Sequence, residues 1–130
     1  MKEYSLNKIE EIDGKQVFYK LEIEGVCQFD EYVKEITKDG QYVEEYTSLI
    51  AIMEDVANNN LLPKTRFRDI TISKKEKIKE YEFKTKHLRV YAIKNEAGKL
   101  IMFGGYKNSQ KKDIKKFRAL KDSYLKTKQL

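Results

Sequence analysis

Residues 80–110, EYEFKTKHLRVYAIKNEAGKLIMFGGYKNSQ, decide how this chain is read. Tyr81, Phe83 and Thr85 alternate with Glu82, Lys84 and Lys86, the period-two pattern of a strand with one face toward a core. Leu88 to Ile93 and Leu100 to Phe103 follow as apolar, β-branched or aromatic runs, and Asn95-Glu96-Ala97-Gly98 between them suits a hairpin built on a type I turn. If Lys94 faces Lys99, then Tyr91 faces Met102, Arg89 faces Gly104 and His87 faces Tyr106, all six on one face. Leu88, Val90, Ala92, Ile101 and Phe103 take the other. A glycine opposite Arg89 leaves the guanidinium uncovered, so this register predicts a shallow pocket ringed by His87, Tyr106 and Lys84 or Lys107. A slip of one residue would move the set to the core side.

Charge sharpens the picture. The 130 residues carry a net charge of +6, but residues 1–60 hold 6 Lys and Arg against 14 Asp and Glu, while residues 61–130 hold 21 against 7. The first half is net −8 and the second net +14. A basic half with Tyr and Phe interleaved is the footprint of a polyanion partner, although a lysine-rich solvated surface has the same composition. The length suits a single domain over residues 1–130. No run approaches the roughly 20 apolar residues of a membrane span, so no membrane association is expected. The opening MKEYSLNKIEE has no apolar segment of the secretory kind, and a lone Cys27 fits a reducing cytoplasm. With one His and one Cys, a Cys/His zinc site within the chain is close to excluded, and no cofactor is expected.

Outward from the central stretch, Tyr4–Ile12 and Gln16–Ile23 flank Asp13-Gly14 and predict an N-terminal hairpin, with residues 1–14 as an added edge strand. Gly25 breaks the pattern. Phe29, Tyr32, Val33 and Ile36 recur at helical spacing and predict a short helix ending near Asp39-Gly40. Gln41–Asn58 predicts a second helix, with Val43, Tyr46, Leu49, Ile50, Met53, Val56 and Ala57 inward and Glu44, Glu45, Glu54 and Asp55 outward. The two form an antiparallel hairpin on a sheet. Arg66–Ile72 reads as extended and Ser73–Lys79 as a mobile basic loop or turn. Asn108 or Ser109 can cap a last helix, about Gln110 to Lys126, with Ile114, Phe117, Leu120 or Lys121, and Tyr124 inward.

This element order, together with Glu82-Phe83-Lys84, Leu88-Arg89-Val90-Tyr91, Gly105-Tyr106-Lys107 and Ser109-Gln110-Lys111-Lys112, resembles the RelE/HigB-type toxins of bacterial toxin–antitoxin systems, their phage-derived branch most of all. The words match over residues 61–125, and residues 15–60 match in element order only. Such toxins usually carry a second basic residue after the Gly-aromatic-basic step, where this chain has Asn108. The resemblance implies an α+β, RelE-like fold: a small antiparallel sheet packed against an N-terminal helical hairpin and a C-terminal helix, here with an extra N-terminal strand. It implies a metal-independent endoribonuclease acting on mRNA at the ribosome and held in check by a cognate antitoxin, a small protein that can carry a helix-turn-helix.

In that chemistry the ribose 2′-hydroxyl attacks the adjacent phosphate. The resemblance implies Arg89 as a bidentate phosphate ligand, Lys84 and Lys107 as charge stabilisers, one of these or His87 as proton donor or acceptor, and Tyr106 as a base-stacking or 2′-hydroxyl-positioning group. Lys86, Arg66, Arg68, Lys111 and Lys112 are candidate RNA contacts. Each residue has a plain structural alternative: Arg89 paired with Glu82, His87 as a surface histidine, Tyr106 packed on the last helix, the lysines as solvated charge. The alternative function is a noncatalytic module on the same scaffold, of phage or mobile-element origin, directed at gyrase or another protein partner.

Overall fold

A computed structural model of the chain describes residues 2–128; Met1 of the anticipated N-terminal extension and residues 129–130 lie outside the described residues. The chain forms strands β1 (Tyr4–Lys8), β2 (Val17–Ile23) and β3 (Val26–Cys27), helices α1 (Gln28–Asp39) and α2 (Val43–Ala57), strands β4 (Phe67–Asp69), β5 (Glu80–Lys84), β6 (Leu88–Asn95) and β7 (Gly98–Tyr106), and helix α3 (Gln110–Lys128). This is an α+β architecture with one open seven-stranded sheet, ordered β1-β2-β7-β6-β5-β4, with β3 pairing β2. The sheet is mixed, not antiparallel as anticipated, because β2 runs parallel to β7. After β2 the chain crosses through α1 and α2 before it re-enters the sheet, and that crossover allows two strands of the same direction to lie side by side.

Both faces of the sheet are covered. On one, Phe29, Tyr32 and Ile36 of α1 and Leu49, Ile52, Met53 and Val56 of α2 meet Phe18, Phe83, Leu88, Val90, Ala92 and Ile101. Val43, read as inward, is 44% exposed at the start of α2, and Ile52, which the stripe did not include, is buried. On the other face, Phe117 and Tyr124 of α3 meet Leu21, Tyr91, Ile93, Leu100, Met102 and Phe103. No helix among the described residues is long and apolar enough to cross a membrane.

The β6–β7 register starts as read, with Lys94 opposite Lys99, Ile93 opposite Leu100 and Ala92 opposite Ile101. A bulge then intervenes. Tyr91 faces Phe103, Val90 faces Gly104, Arg89 faces Gly105 and Leu88 faces Tyr106, leaving Met102 as the extra residue. Met102 and Phe103 therefore both point toward α3, while Gly104 and Tyr106 move to the α1–α2 face, opposite to the expected arrangement. Gly104 is required there, since a Cβ would enter the Tyr32 ring, whose hydroxyl donates to Gly105 O at 2.7 Å.

Other corrections have local causes. Asp13-Gly14 is not a two-residue hairpin: β1 ends at Lys8, and buried Ile9 and Ile12 draw the connection down against the end of α2, where Gly14 lies on Ala57. The tight turn is at Glu24-Gly25, both with positive φ, and it makes a β2–β3 hairpin. The segment from Ser73 to Lys79 is anchored, because Lys121 Nζ donates to Ile78 O at 2.6 Å and pairs with Glu76 and Glu80. Lys121, not Leu120, is thus the buried position of α3. Ser109 provides no cap hydrogen bond to the helix amides; its hydroxyl lies 2.7 Å from Asp113 Oδ2.

Two buried lysines make the packing testable. Replacing Lys121 by Met leaves Glu80 with Arg118 alone, and the expected loss of stability in urea unfolding is about 3 kcal/mol. Lys99, 7% exposed, is bonded to Gln16 Oε1 at 2.8 Å and faces the Tyr81 ring at 4.8 Å. Burial, aided by Lys94, lowers its pKa from 10.5 to about 8. Over that interval the unfolded chain binds more protons than the folded one, so this group's contribution to stability rises with pH and is level below it. Relative to Lys99→Met, the wild type should gain roughly 2 kcal/mol between about pH 8 and about pH 10; an unchanged difference would show the ammonium is not desolvated.

Candidate nucleic-acid interface

The end of the sheet where β5 turns into β6 carries the cationic groups. Lys84 closes β5, directly opposite Arg89 on β6, and the Thr85–His87 turn joins the strands. Tyr106 ends β7, Lys107 follows it, and the loop before α2 contributes Tyr42. These segments form two adjoining pockets. One, of about 510 Å³, is lined by Arg89, Lys84, Lys86, Arg66 and Lys107, together with Glu45 and Ser48 of α2 and Thr65 and Thr85. The other, of about 400 Å³, is lined by Tyr42, His87, Tyr106, Lys107 and Asn108. Lys107 belongs to both. The single pocket read from the sequence is therefore divided, with Arg89 and Lys84 on one side and His87 and Tyr106 on the other.

Arg89 is 4% exposed, yet it has no ion-pair partner among the described residues. One terminal nitrogen donates to Thr85 O at 2.6 Å and Leu88 O at 2.8 Å, and its Nε is buried without a partner. Glu82, the carboxylate that offered the plain alternative, is taken by Arg68 at 2.7 Å and by the Gln110 amide at 2.6 Å. Nor does the facing glycine open the pocket, because Asp113 of α3 occupies the space a Gly105 side chain would fill. The opening lies toward Lys84 and Lys107 instead. Burial lowers the Lys84 pKa, and the neighbouring cations Arg68, Arg89 and Lys107 lower it further. Such a crowd of positive charge, with a desolvated and unneutralised arginine at its base, favours an anion with several oxygens.

The aromatic side is held by carboxylates from the acidic half. Glu45 accepts from the Thr85 hydroxyl at 2.6 Å, the His87 amide at 2.7 Å and His87 Nδ1 at 2.7 Å. Burial acts to raise the Glu45 pKa, but these hydrogen bonds outweigh it and hold the carboxyl below its ordinary value. Tyr42 stacks on the His87 ring with centroids 4.9 Å apart. The Tyr106 hydroxyl donates to Glu35 at 2.7 Å, and burial together with that carboxylate raises its pKa. Its phenol is thereby engaged, so the group it offers to a ligand is the ring face.

Of the other anticipated contacts, Lys86 and Arg66 line the Arg89 pocket, Arg68 is committed to Glu82, and Lys111 and Lys112 are exposed on α3 and line neither pocket. Glu45 and Tyr42 escaped the sequence reading. Glu45 falls on the outward face of the helical repeat, and Tyr42, inside the helix read over Gln41–Asn58, is the residue just before α2 in the structure; no periodicity marks either as a site residue. No family model, no curated protein and no solved structure matches this chain.

If Arg89 is held for a ligand and not for the fold, Arg89→Met should unfold in urea within about 1 kcal/mol of the wild type, since removing an unpaired buried charge offsets the loss of its carbonyl bonds. A loss comparable to that of Lys121→Met would make Arg89 a structural residue.

Proposed function

We propose that the chain binds RNA through the Arg89 pocket and cleaves it as the toxin component of a toxin–antitoxin system. The carrying observation is the buried, unpaired Arg89 facing Lys84 and Lys107, a seat suited to the phosphate of a backbone whose ribose 2′-oxygen attacks in line. The adjoining aromatic pocket suits the flanking nucleotide of a single strand. Further support comes from the order of elements, a strand, a helical hairpin, the antiparallel β5-β6-β7 meander and a final helix, which resembles the RelE-like arrangement with β1 added at the edge. On this reading mRNA at the ribosome is the substrate and a cognate antitoxin the protein partner.

A second reading keeps the scaffold without the chemistry. Asn108 stands where RelE-like toxins usually have a second basic residue, and the Tyr106 hydroxyl is occupied by Glu35. Such a module would act on gyrase or another protein partner.

Primer-extension mapping of cellular transcripts after brief induction separates the two. New cleavage sites inside translated regions, absent with Arg89→Met, are expected; intact transcripts with abundant soluble protein would turn the assignment to the binding module, and inhibited supercoiling would identify gyrase. In vitro, binding of single-stranded RNA should weaken with salt, and Lys107→Ala should reduce the slope of log K against log salt by about 0.7.

A further inference from the structure

The chain has one histidine, and the fold spends an acidic side chain from a distant helix on holding it. Glu45 lies on the face of α2 that the helical repeat would leave to water, yet it binds both the main-chain amide and Nδ1 of His87. A carboxylate can only accept, so Nδ1 carries a proton, and in the neutral ring Nε2 is the free base. Tyr42 covers one face of the ring and Thr85 holds the carboxylate, which restricts rotation of the pair. The His87 side chain remains 42% exposed and lines the aromatic pocket beside Lys107, the residue shared with the Arg89 pocket. The imidazole lines the aromatic pocket, and Lys107, which lines both pockets, and Glu45, which lines the Arg89 pocket and binds Nδ1, link it to the Arg89 side.

We infer that Glu45 is a positioning residue that fixes His87 in the Nδ1–H tautomer, so that Nε2 takes the proton of the attacking ribose hydroxyl. The inference rests on the ribonuclease reading and assigns its two proton transfers. The O2′–H bond breaks and its proton goes to His87 Nε2 as O2′ bonds to phosphorus. The P–O5′ bond breaks, and the Lys84 ammonium gives its proton to O5′. Arg89 and Lys107 hold the phosphoryl oxygens. The products are a 2′,3′-cyclic phosphate and a 5′-hydroxyl end. His87 is left as an imidazolium beside the Glu45 carboxylate and Lys84 as a neutral amine, and exchange with water restores both. Glu45 thus stabilises the charge that His87 acquires.

A single histidine gives a single set of imidazole nitrogen signals, so nitrogen-15 NMR of the whole chain reads its tautomer directly. The wild type should show the Nδ1–H form at high pH. Glu45→Ala should shift the ring toward Nε2–H and lower kcat for a short single-stranded RNA by about 10- to 100-fold, with KM changed less than about twofold. Glu45→Gln has one oxygen for the work of two. With that oxygen on the His87 amide and Thr85, its NH2 faces Nδ1 and donates to it, so this near-isosteric variant should also shift the ring toward Nε2–H and lower kcat. An Nε2–H wild type overturns the inference, and that measurement decides it even if Glu45→Ala fails to fold. A cleaving wild type matched in kcat by Glu45→Ala overturns it alone. RNA left intact by the wild type, whatever the tautomer, overturns the ribonuclease reading and the proton transfer with it.

Discussion

The pairing of β6 with β7 is the constraint on which the other parts depend. It joins the sheet's antiparallel half to the β1–β2 half, and both its faces are covered, so the apolar side chains at its centre are committed to α1–α2 or to α3. The bulge at Met102 sets that commitment. It turns Met102 and Phe103 together toward α3 and brings Gly104 under the Tyr32 ring. Beyond the bulge, Arg89 and Tyr106 emerge on opposite faces at the same end of the sheet, and that is why a cationic pocket and an aromatic pocket lie side by side instead of merging.

Charge is allocated with similar economy. The acids buried along β5 are satisfied by cations from other elements: Glu82 by Arg68, Glu80 by Arg118 and Lys121. Burying a charge costs several kcal/mol unless it is paired, so these ion pairs are the ordinary outcome of folding. Arg89 departs from it. It lies beside Lys84 and opens toward Lys107, with Glu82 already held by Arg68. Buried Lys99 also lacks an ion pair, but its ammonium is held by Gln16 and the Tyr81 ring, whereas Arg89 keeps a buried Nε with no partner, the observation that supports the proposed anion site.

The acidic and basic halves also meet at this site. Glu35 and Glu45 belong to the helical hairpin, yet they bind Tyr106 and His87. The negative half is therefore not confined to a surface away from the cationic groups. Two of its carboxylates reach the edge of the cationic face and orient the rings there.

The sequence by itself determined the kinds and order of most elements, the division of charge, and the concentration of Arg89, Lys84 and Lys107 near one sheet end, because these follow from local periodicity and composition. Strand alternation located β5, β6 and β7, and the helical repeats located α1, α2 and α3 to within a few residues. The tertiary structure decided the rest. The bulge, the parallel β2–β7 pair, the choice of Lys121 over Leu120 and the contact of Glu45 with His87, 42 positions away, carry no local period. They come from fitting two helical layers onto one twisted sheet. That fit depends on which distant side chains fill the same space, and a pattern read along one strand or one helix turn holds no information about it.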